Sequence, residues 1–418
     1  MADKIIICGA GVAGIATAFY LSRESNSFDI TIIDKLEPLS STSSKSGENF
    51  RDFWPHPCME ALSSHSIDLM RELHAQHKPN PFRMEFSGYH FVSHNPDAPI
   101  FQDENTLAFR ETNEVVLDQE EILSKYPYLD KGIKKSVFIN NAGNIDSITM
   151  ANCMLNSAKQ KGVNVIKSEI IGISSHGDGF RVLLKEKEIL LCQKIVIAAG
   201  PFIGQLAEYL DIDLPIWNTF QRKFIIPDPE NVIPSDMPFT IYADPQILKW
   251  EKEEKEYLNS EGLNWMTETM PGAIHIKPEG GEKIKMGWAY SKQHEIPKWE
   301  MKSDELFPQI VMRGASKFIP GLKKYIDNLP SPIIQYGGFY TRTQENWPLI
   351  GPLKVKNAFI VGALAGFGTM TACAAGELCV QHLLQMRLPW YAPYFHPGRY
   401  KDPKMREILK NADVDGQL

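Results

Sequence analysis

Three glycines near the start of the chain have the spacing of a phosphate-binding turn. Gly9, Gly11 and Gly14 form a GxGxxG motif after the apolar residues 4–8, and Asp34 stands 20 positions after Gly14. The first glycine permits a tight turn, the second lets backbone approach a diphosphate, and the third lets a helix pack on the strand. The amino end of that helix would bind the phosphates, and the Asp34 carboxylate would bind a ribose. The motif therefore predicts a dinucleotide site; the acid disfavours NADP and leaves FAD and NAD open.

The elements around this motif are those of a βαβ unit. Residues 4–8 and 29–33 are predicted as buried strands and residues 12–23 as the helix between them. Buried strands are also predicted at 194–199 and 358–362, helices at 58–77 and 147–161, and a loop entering a helix at 366–386. Short strands are predicted within 82–93, 106–117, 163–166, 180–184, 189–191, 221–227 and 273–289, a loop at 40–46, and a solvated helix or lid at 249–261.

The composition is that of an ordinary globular protein. Of the 418 residues, 43% are hydrophobic and 23% charged, and the net charge of −7 argues against a general nucleic-acid binder. None of the six cysteines forms a CxxC pair, so we expect reduced, mostly buried thiols and no metal site. Because no signal peptide is visible and no apolar run approaches the ~20 residues of a membrane helix, we expect a cytoplasmic protein without a transmembrane segment.

Four blocks of sequence resemble the D-amino-acid oxidase superfamily of flavoproteins, nearest to its sarcosine oxidase, glycine oxidase and D-arginine dehydrogenase branch. The first block is the glycine turn with Asp34. Residues 43–51 (SSKSGENFR) are similar to the loop beside the flavin, and residues 195–201 are similar to the family's AAG segment. Residues 337–351 (GGFYTRTQENWPLIG) and 363–377 (ALAGFGTMTACAAGE) are similar to its C-terminal signature. The resemblance covers nearly the whole chain and implies FAD as the cofactor.

The predicted fold class is α/β, with a Rossmann-type FAD-binding domain and an interleaved substrate domain on a mixed β-sheet. Because the Rossmann-type pieces fall at the start, middle and end of the chain, we expect the FAD-binding domain to comprise 1–80, 140–215 and 335–390. The substrate-binding domain is expected at 81–139 and 216–334, followed by a C-terminal tail at 391–418.

The resemblance also implies which residues contact FAD. They are Gly9, Gly11, Val12, Ala13, Gly14, Asp34, Lys35, Ser43, Ser44, Ser46, Gly47, Asn49, Val165, Ala199, Gly200, Gly338, Gly366, Phe367, Gly368, Thr369 and Met370. Residues 366–369 open a helix, so their N–H groups are expected to stabilise negative charge on the reduced flavin. Gly338 stands where sarcosine oxidases carry the cysteine that is attached to flavin. Noncovalent FAD is therefore expected, unless a histidine such as His56 forms the link.

Two catalytic candidates come from the same resemblance. Lys285 matches the lysine that sarcosine oxidases place near flavin N5, where a cation would stabilise superoxide. A solvated basic strand is the alternative, because Lys283 shares the face of Lys285 by the period of two. His275 falls where the family often has an active-site tyrosine and would accept a proton from a substrate ammonium. The alternative for His275 is a hydrogen-bonded core histidine.

Arginines are the candidates for binding a substrate carboxylate, since a guanidinium makes bidentate contacts. Arg51 follows the flavin-proximal loop, Arg222 follows a strand entry, and Arg342 lies near the family's carboxylate arginine. Tyr340 occupies the position aligned with that arginine and is itself a catalytic candidate. Met370 stands where sarcosine oxidases have a second carboxylate-binding lysine. These departures weaken the amino-acid interpretation and favour a substrate other than sarcosine.

The sequence thus predicts an FAD-dependent oxidoreductase that oxidises the C–N bond of a small amine or amino acid. Hydride would move to flavin N5 and leave an imine, and oxygen or another acceptor would take the electrons. One alternative is an FAD-dependent 2-hydroxy-acid oxidoreductase. Another is a flavin-bearing binding or assembly protein with little turnover, in which 249–261 and 391–418 are docking surfaces in place of solvated loops.

Overall fold

The computed structural model describes residues 3–24, 27–77, 82–101, 114–300, 303–410 and 412. In chain order the strands are β1 (Asp3–Cys8), β2 (Phe28–Asp34), β3 (Asn49–Arg51), β4 (Met84–Glu85), β5 (Tyr89–Ser93), β6 (Glu114–Asp118), β7 (Lys135–Ile139), β8 (Ala142–Ile145), β9 (Asn164–Lys167), β10 (Ile170–His176), β11 (Gly179–Leu184), β12 (Ile189–Cys192), β13 (Lys194–Ile197), β14 (Trp217–Pro227), β15 (Phe239–Tyr242), β16 (Gln246–Ile247), β17 (Thr269–Met270), β18 (Ile274–Pro278), β19 (Lys283–Gly287), β20 (Ile334–Arg342), β21 (Leu349–Pro352) and β22 (Ala358–Gly362).

The α-helices are α1 (Val12–Glu24), α2 (Pro57–Gln76), α3 (Gln119–Lys125), α4 (Ser147–Gln160), α5 (Ile203–Glu208), α6 (Lys252–Ser260), α7 (Leu306–Ala315), α8 (Gly368–Leu383), α9 (Ala392–Phe395) and α10 (Pro403–Lys410). Short 3₁₀ helices occur at Thr42–Lys45, Pro99–Phe101, Gly200–Phe202, Asn264–Thr267, Pro320–Tyr325 and Arg399–Lys401.

The first layer is a six-stranded sheet in the order β21-β22-β13-β1-β2-β9. All its neighbouring pairs are parallel except β21–β22. In the central strands β1 and β13, residues 5–8 and 195–197 are apolar and buried, because both faces of the sheet are covered. Helices α1, α2, α4 and α8 share one core cluster with the sheet, and α5 shares another with the sheet and with β10, β11 and β12. This is the predicted Rossmann-type arrangement, in which the carboxyl ends of parallel strands open onto a ligand site.

The second layer is an eight-stranded mixed sheet in the order β20-β14-β19-β18-β15-β5-β7-β6. Only its β5–β15 pair is parallel. One face packs apolar side chains such as Phe224, Ile276 and Met286 into a second core with α7. Since successive residues of a strand alternate between faces, Lys223, His275 and Lys285 lie on the opposite face. The chain therefore has the predicted α/β class with a mixed second sheet.

A small three-stranded sheet has the order β3-β8-β4, and its strand β3 begins directly after the loop 43–48. The remaining sheets are β10-β11-β12 and β16-β17. The region 273–289 forms two antiparallel strands, β18 and β19, because Gly280 and Gly281 adopt positive φ between them. The loop predicted at 40–46 contains the 3₁₀ turn Thr42–Lys45, and of the strand predicted at 106–117, residues 106–113 lie outside the described residues.

Two segments interpreted from sequence as solvated are packed onto the protein. The charged segment 249–261 forms helix α6 as predicted, but its Leu258 is buried in the second core. In the segment from residue 391 onward, Tyr391, Phe395 and Met405 join the first core. Arg399 is 1% exposed; its Nε donates a 2.6 Å hydrogen bond to Glu345, and its Nη1 a 2.7 Å hydrogen bond to Pro348 O. The prediction of a solvated tail is therefore wrong over 391–410, because a buried ion pair and apolar contacts fix it.

In the part of the chain that the structure describes, no helix is both long and apolar enough to cross a membrane. The same residues contain no cluster of three or more histidine, cysteine, aspartate or glutamate side chains able to hold a metal ion. All six cysteines are free thiols, and five of them are buried.

Candidate active site

A long cleft lies where the carboxyl ends of the parallel strands face the eight-stranded sheet. Its walls include Cys8 of β1, Asp34 of β2, Ala199 after β13 and Gly362 of β22. The residues predicted to contact FAD that line it are Gly9, Gly11, Val12, Ala13, Asp34, Lys35, Ser43, Ser46, Gly47, Ala199, Gly200, Gly338, Gly366, Gly368 and Thr369. Tyr340 also lines it. The cleft thus brings together residues that are more than 300 positions apart.

The glycine turn has the close contacts that the motif predicts. Gly9 has φ +119°, and a Cβ at that position would lie 2.4 Å from Ala198 O. A Cβ on Gly14 would lie 2.0 Å from Gly9 O, so this residue serves helix–strand packing and does not line the cleft. Gly11 does line it, and Val12 N–H donates to Ser43 Oγ at 3.1 Å. The turn therefore leaves open backbone at the amino end of α1, where a diphosphate would bind.

Asp34 is held by the turn itself. Its carboxylate accepts hydrogen bonds from Ala10 N–H at 2.7 Å and Leu36 N–H at 2.9 Å. Burial raises the pKa of Asp34, and these backbone N–H groups oppose that effect. Because the two amides fix its orientation at the cleft wall, the carboxylate is placed to accept hydrogen bonds from a ribose.

Charged and aromatic side chains close the end of the cleft beside Asp34. Lys35 Nζ lies 2.8 Å from Glu169 Oε1 and 5.0 Å from the centre of the Trp299 ring. Trp299 stacks on Phe202 with ring centres 4.2 Å apart. Glu169, Phe202 and Trp299 were not predicted from the sequence, and all three line the cleft. Val165 was predicted to contact FAD, but it lies in β9 outside the lining, which is formed instead by Ser168, Glu169 and Ile170 just after that strand.

The loop before α8 forms the wall at the other end. Ala363 and Ala365 have positive φ, a conformation that costs non-glycine residues energy and persists where the surroundings enforce it. Gly368 and Thr369 are the first residues of α8, as predicted, so their N–H groups have no partner within the helix. Phe367 does not fit the prediction, because its N–H donates to Leu364 O at 2.8 Å.

Three other predicted cofactor residues lie outside the cleft. Met370 is buried in the first core. Ser44 Oγ donates to Ser41 O at 2.8 Å on the exposed side of its turn. Asn49 Nδ2 donates to Asn144 Oδ1 at 2.9 Å, so its side chain joins β3 to β8. Each of these residues is within two positions of a residue that lines the cleft, but its own side chain points elsewhere.

Lys223, which was not predicted from the sequence, lines the cleft near the loop before α8. Lys223 of β14 is 7% exposed, and its Nζ donates a 3.2 Å hydrogen bond to the Tyr340 hydroxyl. The available signal was the alternation of β14, in which Gln221 and Lys223 are flanked by Phe220 and Phe224. A lysine on a strand buried on both faces is rarely a solvated side chain, and it needs a partner.

Lys285 does not line the cleft, so the structure does not support its predicted place beside the flavin. Its Nζ is buried and lies 2.6 Å from Glu279 Oε1 and 3.8 Å from Glu48 Oε2. The alternative of a solvated basic strand is also wrong for Lys285, although Lys283 on the same face is exposed. The two lysines differ because β19 is exposed at Lys283 and buried from Ile284 onward.

His275 is placed beside Lys223 but outside the cleft lining. One ring nitrogen, Nδ1, lies 3.1 Å from Ala273 O, which makes it the N–H donor of a neutral ring. Burial and the neighbouring Lys223 lower the pKa of His275 to about 3. A histidine this weakly basic does not suit the predicted role of proton acceptor near neutral pH. Its hydrogen bond to Ala273 O agrees with the alternative of a structural histidine, although the residue is only partly buried.

The three arginine candidates are also outside the lining. Arg51 is 3% exposed and lies over the rings of Trp54 and Phe91, at 4.5 and 4.9 Å. Arg222 is on the β14 face opposite Lys223, with Nη1 3.9 Å from Asp304 Oδ2. Arg342 lies over the Tyr340 ring at 5.7 Å. None of the three arginines therefore lines the cleft, whereas Lys223 does.

Few side chains of the cleft could form a covalent link to a flavin. Among the described residues that line it there is no histidine, and Cys8 is the single cysteine. Cys8 is fully buried, and burial raises the pKa of its thiol. His56 instead caps α2 through Cys58 N–H and packs against the Trp347 ring, away from the cleft.

Solved structures with this fold include three enzymes whose names refer to amino acids. L-Proline dehydrogenase from P. horikoshii matches with a TM-score of 0.74 at 18% identity, covering 96% of this chain and 98% of that chain. Glycine oxidase from Geobacillus kaustophilus matches with a TM-score of 0.75 at 13% identity, over 94% and 98%. An L-amino acid deaminase from Proteus vulgaris matches with a TM-score of 0.71 at 16% identity, over 95% and 93%.

No curated protein sequence matches the chain. The family model described as DAO, FAD-dependent oxidoreductase, matches residues 4–382. This match covers most of the chain and spans both ends of the cleft. The chain therefore belongs to the DAO family of FAD-dependent oxidoreductases, and its cofactor is FAD.

Proposed function

We propose that this enzyme oxidises the C–N bond of a small amino acid or related amine that carries an anionic group. The observation that carries the proposal is the Lys223–Tyr340 pair at the wall of the FAD cleft, 3.2 Å apart. Its ammonium and hydroxyl are donors suited to a carboxylate. The names of the structural neighbours, which refer to proline, glycine and L-amino acids, support the same substrate class.

The chain's residues would act by binding and orienting the substrate. When bound, FAD supplies the acceptor for the two electrons that leave the substrate's α C–H bond. Lys223 and Tyr340 would hold the carboxylate so that this bond faces the cofactor, which is a matter of proximity. The N–H groups of Gly368 and Thr369 would stabilise the negative charge that gathers on the cofactor. Water would then hydrolyse the substrate-derived imine to a carbonyl compound and an amine.

Anaerobic titration of the purified holoprotein tests this function. Amino acids, N-alkyl amino acids, simple amines and 2-hydroxy acids would each be added while the visible flavin absorbance is followed. We expect bleaching with an amino acid or amine, accompanied by release of ammonia or an amine. Bleaching by 2-hydroxy acids alone would establish the alternative reaction, and no bleaching by any reductant of the panel would favour a binding or assembly role. Stopped-flow reoxidation in air then decides between oxygen and another electron acceptor.

We further propose that the six-stranded sheet belongs to an FAD-binding domain of residues 1–80, 140–215 and 335–390. The substrate-binding domain would be 81–139 and 216–334. Sheet membership supports this division, since all six strands of the first sheet fall in the first set of segments. The strand β20 crosses the proposed boundary, because it begins at Ile334 and pairs with β14 in the second sheet.

A further inference from the structure

A cluster of two buried lysines and two partly buried glutamates lies behind the flavin-facing loop, outside the cleft. Lys285 is 5% exposed, with its Nζ 2.6 Å from Glu279 Oε1 and 3.8 Å from Glu48 Oε2. Lys277, its cross-strand neighbour on β18, is 2% exposed and lies 3.8 Å from Glu279 Oε2. Two buried lysines therefore lie against two partly buried glutamates, Glu48 and Glu279. Buried charges are costly unless they are paired, so removal of one partner affects the others.

The cluster is connected to the cleft through Glu48. The Glu48 N–H donates to Ser46 Oγ at 2.9 Å, and Ser46 Oγ lies 2.7 Å from Thr369 Oγ1. Ser46 and Thr369 both line the cleft, on different loops. Contacts thus run from Lys285 through Glu48 and Ser46 to the amino end of α8.

A second set of contacts fixes the same loop from β8. Asn144 Oδ1 accepts hydrogen bonds from Lys277 Nζ at 2.8 Å and from Asn49 Nδ2 at 2.9 Å. The Ile145 N–H donates to Glu48 O at 2.9 Å. Glu48 itself has φ +60°, an uncommon conformation for a residue with a side chain. Such a conformation persists when its surroundings over-determine it.

We propose that Lys285 is a positioning residue: its ion pairs with Glu279 and Glu48 hold the loop 46–49 against the amino end of α8. The distance between this loop and the loop before α8 is thereby kept constant. The charge acts through Glu48, since Lys285 does not line the cleft. This role differs from that of a cation that meets oxygen directly. It depends on the binding of FAD and is independent of which substrate is oxidised.

Replacement of the charge by an apolar chain of similar length tests the proposal. In purified holoprotein, Lys285→Met is expected to shift the visible flavin spectrum and midpoint potential and to raise the FAD dissociation constant about tenfold, the loss of one charge-assisted contact. Lys285→Arg, which keeps the charge, should restore most of both properties. Lys283→Met is the matched control on the exposed end of the same strand and should leave both properties as in the parent protein.

Glu48→Gln provides a second test that keeps size and removes the other charge. Its effects on the spectrum and on FAD binding should have the same direction as those of Lys285→Met and be no larger, because Lys285→Met also removes the contact with Glu279. The double variant should show little change beyond Lys285→Met, since the contact with Glu48 is already lost in that variant. Additive effects would overturn the proposal. So would a Lys285→Met enzyme with unchanged FAD binding and spectrum that is slowed only in reoxidation by oxygen. If Lys285→Met does not fold, an unchanged spectrum and FAD affinity in Glu48→Gln would overturn it.

Discussion

Lys223 Nζ donates a 3.2 Å hydrogen bond to the hydroxyl of Tyr340, which lies on the neighbouring antiparallel strand. In the register of β14 and β20, Lys223 is opposite Tyr336 and Tyr340 is opposite Thr219, so all four side chains share one face. The pair therefore stands at the wall of the FAD cleft because of the sheet pairing, although 117 positions separate the two residues in the chain.

The first prediction concerns substrate binding by this pair. Lys223→Met should weaken the binding of carboxylate substrates by about 10- to 100-fold, because one charge-assisted hydrogen bond is lost. Tyr340→Phe should have a smaller effect, since it removes a neutral donor. The measurement is the substrate concentration that gives half-maximal anaerobic flavin reduction. If Lys223→Met binds substrate normally and only its reoxidation by oxygen is slow, the lysine acts on oxygen and not on the substrate.

The second prediction compares glycines of the phosphate-binding turn. Gly11→Ala adds a methyl group 3.3 Å from Ser43 Oγ at a permitted φ, so the protein should fold and bind FAD at least about tenfold more weakly, or about 1.4 kcal/mol. Gly9→Ala should not give folded protein, because its φ is +119° and its Cβ would lie 2.4 Å from Ala198 O. Gly172→Ala, whose nearest contact is 3.7 Å, is the control. FAD content and thermal unfolding of the three variants provide the comparison, and full FAD affinity in Gly11→Ala would contradict the assignment.

The third prediction concerns the buried ion pair that fixes the C-terminal segment. Arg399→Met leaves the carboxylate of Glu345 buried without its partner and should lower the free energy of unfolding by about 3–5 kcal/mol. The double variant with Glu345→Met should be destabilised less than the sum of the two single variants. Lys410→Met, on the exposed last turn of α10, should change the free energy of unfolding by no more than about 0.5 kcal/mol. Urea unfolding measures all four, and an Arg399→Met protein as stable as the parent would show that the segment is not anchored in this way.

The fourth prediction is a loss of stability in acid that depends on His90. This residue is fully buried beside the Tyr126 ring, and burial lowers its pKa from 6.5 to about 3. As the pH falls, the unfolded chain takes up a proton near pH 6.5 and the folded chain only near pH 3. Stability therefore falls between these values, by on the order of 5 kcal/mol at the lower end. The slope of unfolding free energy against pH should be smaller in His90→Phe, and an equal slope in both proteins would exclude His90 as its source.

The fifth prediction is that FAD is held without a covalent bond. Acid precipitation of the holoprotein should leave a colourless pellet and release FAD into the supernatant, because the lining offers only the buried thiol of Cys8 and no imidazole among its described residues. A yellow pellet would contradict this expectation. Cys8→Ala and His56→Ala would then identify the attachment site.

Local sequence patterns were sufficient for the cofactor turn. Gly9, Gly11 and Asp34 could be assigned because strand, turn, helix and acid follow one another within a short stretch, so their geometry depends on local backbone rules. The helices Val12–Glu24, Pro57–Gln76 and Ser147–Gln160 begin and end within two residues of the predictions. The motifs at 43–51 and 363–377 likewise located both loops that line the cleft, although Phe367 and Met370 within them face the core.

The catalytic candidates needed the tertiary structure. Lys223, Lys277 and Lys285 lie on three neighbouring strands and on one sheet face, and each would pass as a strand lysine in sequence. The order β14-β19-β18 and the loop at Glu48 determine which lysine lines the cleft and which lysines pair with the partly buried Glu48 and Glu279. The environment of His275 depends on the same order, because Lys223 is brought beside it from β14.

By itself, the sequence determined the α/β class, a dinucleotide-binding turn and, through four separate blocks, the membership of an oxidoreductase family, because each block is a run of contiguous residues with fixed spacing. Only the tertiary structure decided which cations meet the cleft, that the C-terminal segment is buried around Arg399, and that His275 is a weak base. These properties depend on burial and on pairings between strands distant in sequence, and no local pattern contains that information.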